Sequence, residues 1–160
     1  MKSNQKITTF LTFNNEAEEA MNHYLSIFKN SKIISETRNT DEKTGELEAL
    51  FIATIELCGQ KFMLLNGGPS FKFTEGISLM VSCENQEEID EYWEKLTSNG
   101  GKEIQCGWLI DKFGISWQIV PSIIGELMSS PDTQKSQRVM NALINMIKID
   151  INILKQAYKG

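Results

Sequence analysis

The order of elements repeats once along this chain, and that repeat constrains the fold more than any single motif. Residues 6–13, KITTFLTF, read as a strand. Asn15 with Glu18 three residues on has the form of a helix-capping pair, and Ala17, Ala20, Met21, Tyr24, Leu25 and Phe28 follow at helical spacing. SKIISETRN and LEALFIATIEL read as two strands around the polar turn TDEKTG, and Cys58-Gly59-Gln60 turns into a fourth, KFMLLN. From residue 76 the order returns. GISLMVS is a strand, Asn85 with Glu88 a second cap, and Ile89, Tyr92, Trp93 and Leu96 a second helical stripe. Asn99-Gly100-Gly101 ends that helix in the left-handed region. The stretch CGWLIDKFGISWQIVP, residues 106–121, reads as a closing hairpin with its turn at Asp111–Gly114, and Pro121 stops the strand because it cannot donate to a ladder. The chain is therefore α+β: two tandem βαβββ modules, about 6–66 and 76–121, within a region 1–121.

Residues 122–160 form a helical extension, part of the same domain or an interface. Ser130-Pro131 has the form of a helix start. Met140, Ile144, Ile147, Ile151, Leu154 and Tyr158 recur in steps of four and three, widened by Val139, Leu143 and Met146. A stripe this apolar must be buried on its own sheet or on a partner, and the expected partner is a second copy in a homodimer.

Composition narrows the function classes. A net charge of -5 with scattered Lys and Arg gives no footprint for nucleic acid or anionic lipid. Three cysteines, at 58, 83 and 106, without a CxxC pair, fit a reducing cytoplasm better than a disulfide scaffold. No apolar run reaches membrane-spanning length, so neither nucleic acid nor membrane is an expected partner.

Four segments resemble the PhnB-like (3-demethylubiquinone-9 3-methyltransferase-like) family of the vicinal oxygen chelate, or glyoxalase–bleomycin resistance, superfamily. They are ITTFLTFNNEAEEAMNHYLSIFKNSKI, LLNGGPSFKFTEGISLMVSCENQEEIDEYWEKL, CGWLIDKFGISWQIVP and RVMNALINMIKIDINILKQAY. The resemblance implies a curved mixed-sheet cup with a small-molecule site. It also implies that metal ligands, where present, come from the first and fourth strands of each module. Those columns fall near Thr9, Met63, Ile77 and Gln118. Only Gln118 is a plausible ligand for a divalent ion, so no metal and no other cofactor is expected.

With those columns taken as inward, alternation lines the cup with Thr9, Leu11 and Phe13, then Met63 and Leu65, then Ile77, Leu79 and Val81, then Ser116 and Gln118. Apolar walls with a few polar groups suit a small apolar ligand, although the same residues could pack on each other as core. His23, the only histidine, falls off the apolar helix face and reads as surface. Cys106 has no cationic neighbour closer in sequence than Lys102 to activate it. The methyltransferase label lacks the glycine-rich strand-to-helix loop of a nucleotide-like cofactor site. Three functions follow as expectations: a metal-free binding protein for a small, largely apolar molecule; a glyoxalase-, dioxygenase- or methyltransferase-like enzyme, with or without metal; or a dimeric protein with a vestigial pocket.

Overall fold

The computed structural model describes residues 5–160 and divides the chain into two compact units, Met1–Lys72 and Phe73–Gly160. In the first unit the order is β1 (Thr9–Phe13), α1 (Ala17–Ile27), β2 (Ser31–Thr40), β3 (Leu47–Leu57) and β4 (Gln60–Asn66). They form a four-stranded mixed sheet ordered β1-β4-β3-β2, with β1 parallel to β4 and the other pairs antiparallel. An isolated helix of 11 residues is marginal in water, so packing decides whether α1 forms. Ala17, Ala20, Met21, Tyr24 and Ile27 are all buried, as are Leu11, Phe13, Ala53, Ile55 and Leu64 of the sheet.

The helix is not capped by Asn15. The residue before it is Glu16, and the acceptor for the Ala17 N–H is Asn66 Oδ1 at 2.9 Å, from the end of β4. The Asn66 carboxamide also donates to the Leu50 carbonyl, so one side chain ties α1, β3 and β4 together. The register of β2 on β3 skips Phe51 between the pairs Thr37↔Ile52 and Arg38↔Leu50. This bulge brings Arg38 to Glu18 of α1, where it donates to both carboxylate oxygens.

The second unit repeats the plan with shorter strands: β5 (Ser78–Cys83), α2 (Gln86–Thr97), β6 (Lys102–Glu103), β7 (Trp108–Ile110) and β8 (Ser116–Pro121), ordered β5-β8-β7-β6. Asn85 caps α2 as expected, accepting from Glu88 N at 2.9 Å. The helix stops at Thr97 and runs into one 3-10 turn, Ser98–Gly100, within which Asn99 and Gly100 have positive φ. Ile89, Trp93 and Leu96 are buried, together with Leu109, Trp117 and Ile119 of the sheet. The hairpin turn is held by Asp111, which is 3% exposed. Its Oδ1 accepts from Phe113 N and Ile115 N, and its Oδ2 from Trp117 Nε1 at 2.9 Å.

The extension is three helices, α3 (Ile124–Met128), α4 (Thr133–Ile144) and α5 (Ile151–Lys159), not one long stripe. Asp132 outcompetes Ser130 as the cap of α4, accepting from Gln134 N and Lys135 N. Asp150 caps α5 in the same way. The break between α4 and α5 splits the apolar series. Val139, Met146, Ile149, Ile151 and Leu154 are buried, whereas Met140, Ile144 and Ile147 are exposed. Val139, Met146, Ile149 and Leu154 form a small core with Leu127, and Val120 of β8 packs against it. The Cys106-Gly107 pair fastens the connecting segment. Cys106 N donates to Met146 O and Gly107 N to Ile147 O, at 2.9 and 2.8 Å. Gln86 of α2 completes the seam, donating to Ile149 O and accepting from Ile151 N.

Candidate functional site

Each sheet has one face under its helix and one open face, and strand register assigns every residue to one or the other. Paired residues share a face. In the first unit Leu11 pairs with Leu64 and Phe13 with Asn66, which reaches the start of α1, so Thr9, Leu11 and Phe13 lie on the helix side. The open face carries Phe10 and Thr12 opposite Met63 and Leu65. In the second unit Leu79 pairs with Trp117 and Val81 with Ile119 on the side of α2. The open face there carries Ser78 opposite Ser116 and Met80 opposite Gln118, with Ile110 and Trp108 on the next strand.

The expected wall is therefore split. Met63 and Leu65 share one open face, and Ser116 and Gln118 share the other. Thr9, Leu11, Phe13 and Leu79 point the opposite way, and Ile77 lies just before β5 and is 76% exposed. The correction is one residue in β1 and one residue in β5. A slip of one moves every side chain of a strand to the other face. The physical cause is the same in both modules: the helix buries the largest apolar pair of the first strand, and the parallel fourth strand follows its phase.

The open face of the second sheet has a polar centre. Gln118 Nε2 donates to Ser78 Oγ at 2.8 Å, and both residues are half-buried. Beside them Ser116 is 2% exposed, and its Oγ has no hydrogen-bond partner. Met80 is 64% exposed on the same face. The expected wall includes Ser116 and Gln118 but not Ser78 and Met80, their partners in register. The signal that finds them is the parallel pairing of β5 with β8, not the alternation of β5 alone.

The donor set does not fit a divalent ion. With Met63 and Gln118 kept, the open-face residues paired with them are Phe10 and Met80, a ring and a thioether, and the position one residue after Ile77 is Ser78, a neutral hydroxyl. Among the described residues no three His, Cys, Asp or Glu side chains converge. Hard or borderline cations need several oxygen or nitrogen ligands, and these positions offer only the neutral groups of Gln118 and Ser78. His23 is half-buried on α1, its ring 5.9 Å from that of Tyr24. Cys83 is buried, and burial first, with Glu88 and Glu84 nearby, pushes its thiol up to about 12. A thiol so raised is not a nucleophile at neutral pH. Cys106 is half-buried in the left-handed region, where its backbone serves the extension. Glu18, Glu88 and Asp90 are engaged with Arg38, Glu84 N and Lys148.

Two βαβββ sheets of this topology define a glyoxalase/bleomycin-resistance-like fold, and solved structures agree. A Bacillus cereus protein described as a putative 3-demethylubiquinone-9 3-methyltransferase, PhnB protein, is 41% identical over 73% of this chain and 99% of its own, with a TM-score of 0.66. Protein PA1353 from Pseudomonas aeruginosa is 16% identical over 73% of this chain and 97% of its own, with a TM-score of 0.58. The Listeria monocytogenes fosfomycin resistance protein FosX, described in complex with Mn(II) and a dihydroxypropylphosphonic acid, is 17% identical over 74% of this chain and 92% of its own, with a TM-score of 0.51. The last two share the fold. No protein of curated function matches. The family described as 3-demethylubiquinone-9 3-methyltransferase matches residues 5–120, and the chain belongs to this PhnB-like family.

Proposed function

We propose that this protein binds a small, largely apolar molecule on the open sheet face without the help of a divalent ion. The observation that carries the reading is the Gln118–Ser78 pair, with Ser116 beside it, on a face whose apolar part is Met80, Trp108, Ile110 and Val120. Few polar groups on an apolar lining are the usual make-up of a ligand site. Methyl transfer is not carried over from the family description. The strand-to-helix connections among the described residues are Asn14–Glu16, Glu84–Asn85 and Ser122–Ile123, too short and without glycine for a phosphate-cradling loop. The test is a mass-spectrometric screen of small molecules that copurify with native protein, paired with elemental analysis. A reproducible organic compound and well under one metal equivalent per chain support the reading, and turnover of that compound makes the protein an enzyme. A full equivalent of zinc, nickel, manganese or iron, lost on chelation together with ligand binding, overturns it.

The reading includes a cytoplasmic homodimer. Its support is the three free cysteines and the exposed Met140, Ile144 and Ile147. These side chains, already about half-buried, offer roughly 3 kcal/mol on further burial. That is less than the cost of association, so the interface must draw on other apolar surface as well. Light scattering on the intact chain tests this. A monomer at working concentration rejects the dimer.

A further inference from the structure

We propose that the open face of the second sheet recognises an uncharged ligand head group carrying both a hydrogen-bond donor and an acceptor, a carboxamide being the simplest. This rests on the small-molecule reading above and adds the chemistry of the head. The observation is the Ser116 hydroxyl, 2% exposed and without a partner. Buried hydroxyls are almost always paired, and an orphan needs a reason. Ser116 pairs in register with Ser78, and Gln118 lies two residues on along the same face. The three polar side chains are therefore neighbours on one face, Ser78 and Gln118 bonded to each other and Ser116 bonded to neither.

The cluster's unused capacity defines what it takes. One hydrogen bond joins Gln118 to Ser78. In either orientation of the carboxamide, that pair keeps a free N–H or O–H and a free lone pair. Ser116 adds a hydroxyl that donates and accepts. A head that only accepts, or only donates, leaves part of this capacity unused, and the buried Ser116 hydroxyl has no bulk water to fall back on. Sites built to hydrogen-bond a polar group discriminate strongly against analogues that lack it.

Charge argues against an ionised head. The open-face positions of β5, β7 and β8 are Ser78, Met80, Ser82, Trp108, Ile110, Ser116, Gln118 and Val120, none of them charged. On the edge strand of that face is Lys102, paired with Ile110 and exposed. It stands two strand spacings from Ser116, about 10 Å. A carboxylate or ammonium on the cluster would be desolvated without a counter-charge. The apolar remainder of the ligand has Met80, Trp108 and Ile110 to lie on. At the far end of the same face Val120 packs into the core of the extension, which closes that direction.

Four probes of one shape separate the head from the body: 4-butylbenzamide, 4-butylbenzoate, 4-butylbenzamidine and butylbenzene, each titrated into the full chain. Calorimetry gives affinities, and backbone amide NMR shifts locate the site. The amide should bind about tenfold more tightly than the anion, the cation or the hydrocarbon, as expected for one or two hydrogen bonds gained. Shifts should centre on Ser78, Ser116 and Gln118. Ser116→Ala and Gln118→Leu should each cost the amide about fivefold or more while leaving butylbenzene unchanged. Equal binding of amide and hydrocarbon, or tightest binding of the benzoate or the amidine, overturns the head-group assignment and leaves the pocket. Failure of all four to bind overturns the pocket and the assignment with it.

Discussion

Two Cys-Gly pairs, one in each module, share positive φ at both residues and do different work. Cys58-Gly59 has φ of 49° and 84°, and Cys106-Gly107 has 61° and 79°. The first is a two-residue turn that joins β3 to β4, with Leu57 paired to Gln60, and a side chain at Gly59 would meet open space. The second sits just before β7 and clamps the segment leading to α5. A Cβ at Gly107 would lie 2.7 Å from Ile119 O and 2.7 Å from Ile149 Cδ1. The φ angles are thus alike, and the surroundings decide what each pair is for. The first module closes its hairpin locally. The second uses the equivalent conformation to bind a helical extension that the first module lacks.

The largest test of that difference is a matched substitution. Gly107→Ala combines the left-handed penalty, about 1–2 kcal/mol, with overpacking of about 1–3 kcal/mol, for roughly 4 kcal/mol in all. Gly59→Ala carries only the first part, about 1 kcal/mol. Chemical denaturation of both variants measures the gap. Equal losses would show that the Gly107 contact relaxes freely and that the clamp is weak.

A second pair of turns sharpens the comparison. Asp41 caps the β2–β3 turn using Oδ1 alone, accepting from Lys43 N and Thr44 N, and its carboxyl is held below its ordinary pKa by those bonds. Asp111 uses both oxygens, and Oδ2 takes the buried Trp117 indole N–H. An asparagine serves the Asp41 role with its remaining oxygen, so Asp41→Asn should leave thermal stability nearly unchanged. Asp111→Asn sets an amide N–H against a donor and should cost about 2 kcal/mol. A neutral Asp111→Asn would mean that the Trp117 bond contributes nothing.

What was legible in the sequence follows the same division between local and distant causes. β3 is legible to the residue, because its ends are marked by the polar turn before it and the Cys-Gly turn after it. The Asn85 cap is legible because its partner is three residues away. The start of α1 is not, because its acceptor is Asn66, 49 residues on. Alternation gave the parity of β1 and β5 but not which parity faces the helix, since that is fixed by the parallel partner strand and by α1 or α2. Of the expected wall, Met63 and Leu65 lie on the open face of the first sheet, and Ser116 and Gln118 on that of the second. Ser78 and Met80 became visible only through pairing with β8.

The fasteners of the two modules also differ under acid. Glu18 is tied to Arg38, whose hydrogen bonds hold its carboxyl below the ordinary value. Asp90 is tied to Lys148 of the extension at 2.6 Å, and that contact, then Gln86, lowers its pKa. A depressed folded pKa means stability that is present above the unfolded value, about 4, and lost as pH falls through the folded value. Both ties should therefore loosen below about pH 4. The Asp90–Lys148 pair is half exposed, so it contributes less than about 1 kcal/mol and weakens with salt. Hydrogen exchange at residues 146–151 should rise in Asp90→Asn at neutral pH, with β2 unaffected. Exchange that rises equally in β2 would mean that the pair does not act on the extension alone.

The smallest expected change in stability belongs to Ser116, and its sign is the informative part. Most buried side chains lose stability when shortened, through lost packing and the cavity left behind. Ser116→Ala removes only a hydroxyl whose oxygen has no partner, and it keeps the Cβ that packs in the sheet. Removing an unsatisfied buried polar group relieves its desolvation cost, so the variant should be unchanged or more stable by up to about 1 kcal/mol. Ser78→Ala, in contrast, breaks the bond from Gln118 and should lose a few tenths to about 1 kcal/mol. The first module has no such contrast on its open face, where Thr12, Met63 and Leu65 stand in the comparable rows. Thermal melts of Ser116→Ala and Ser78→Ala therefore read the cluster directly. A clear loss in Ser116→Ala would mean that its hydroxyl is satisfied in solution and serves the fold. A gain would mark a group that the fold carries at its own expense, as expected where a ligand supplies the missing partner.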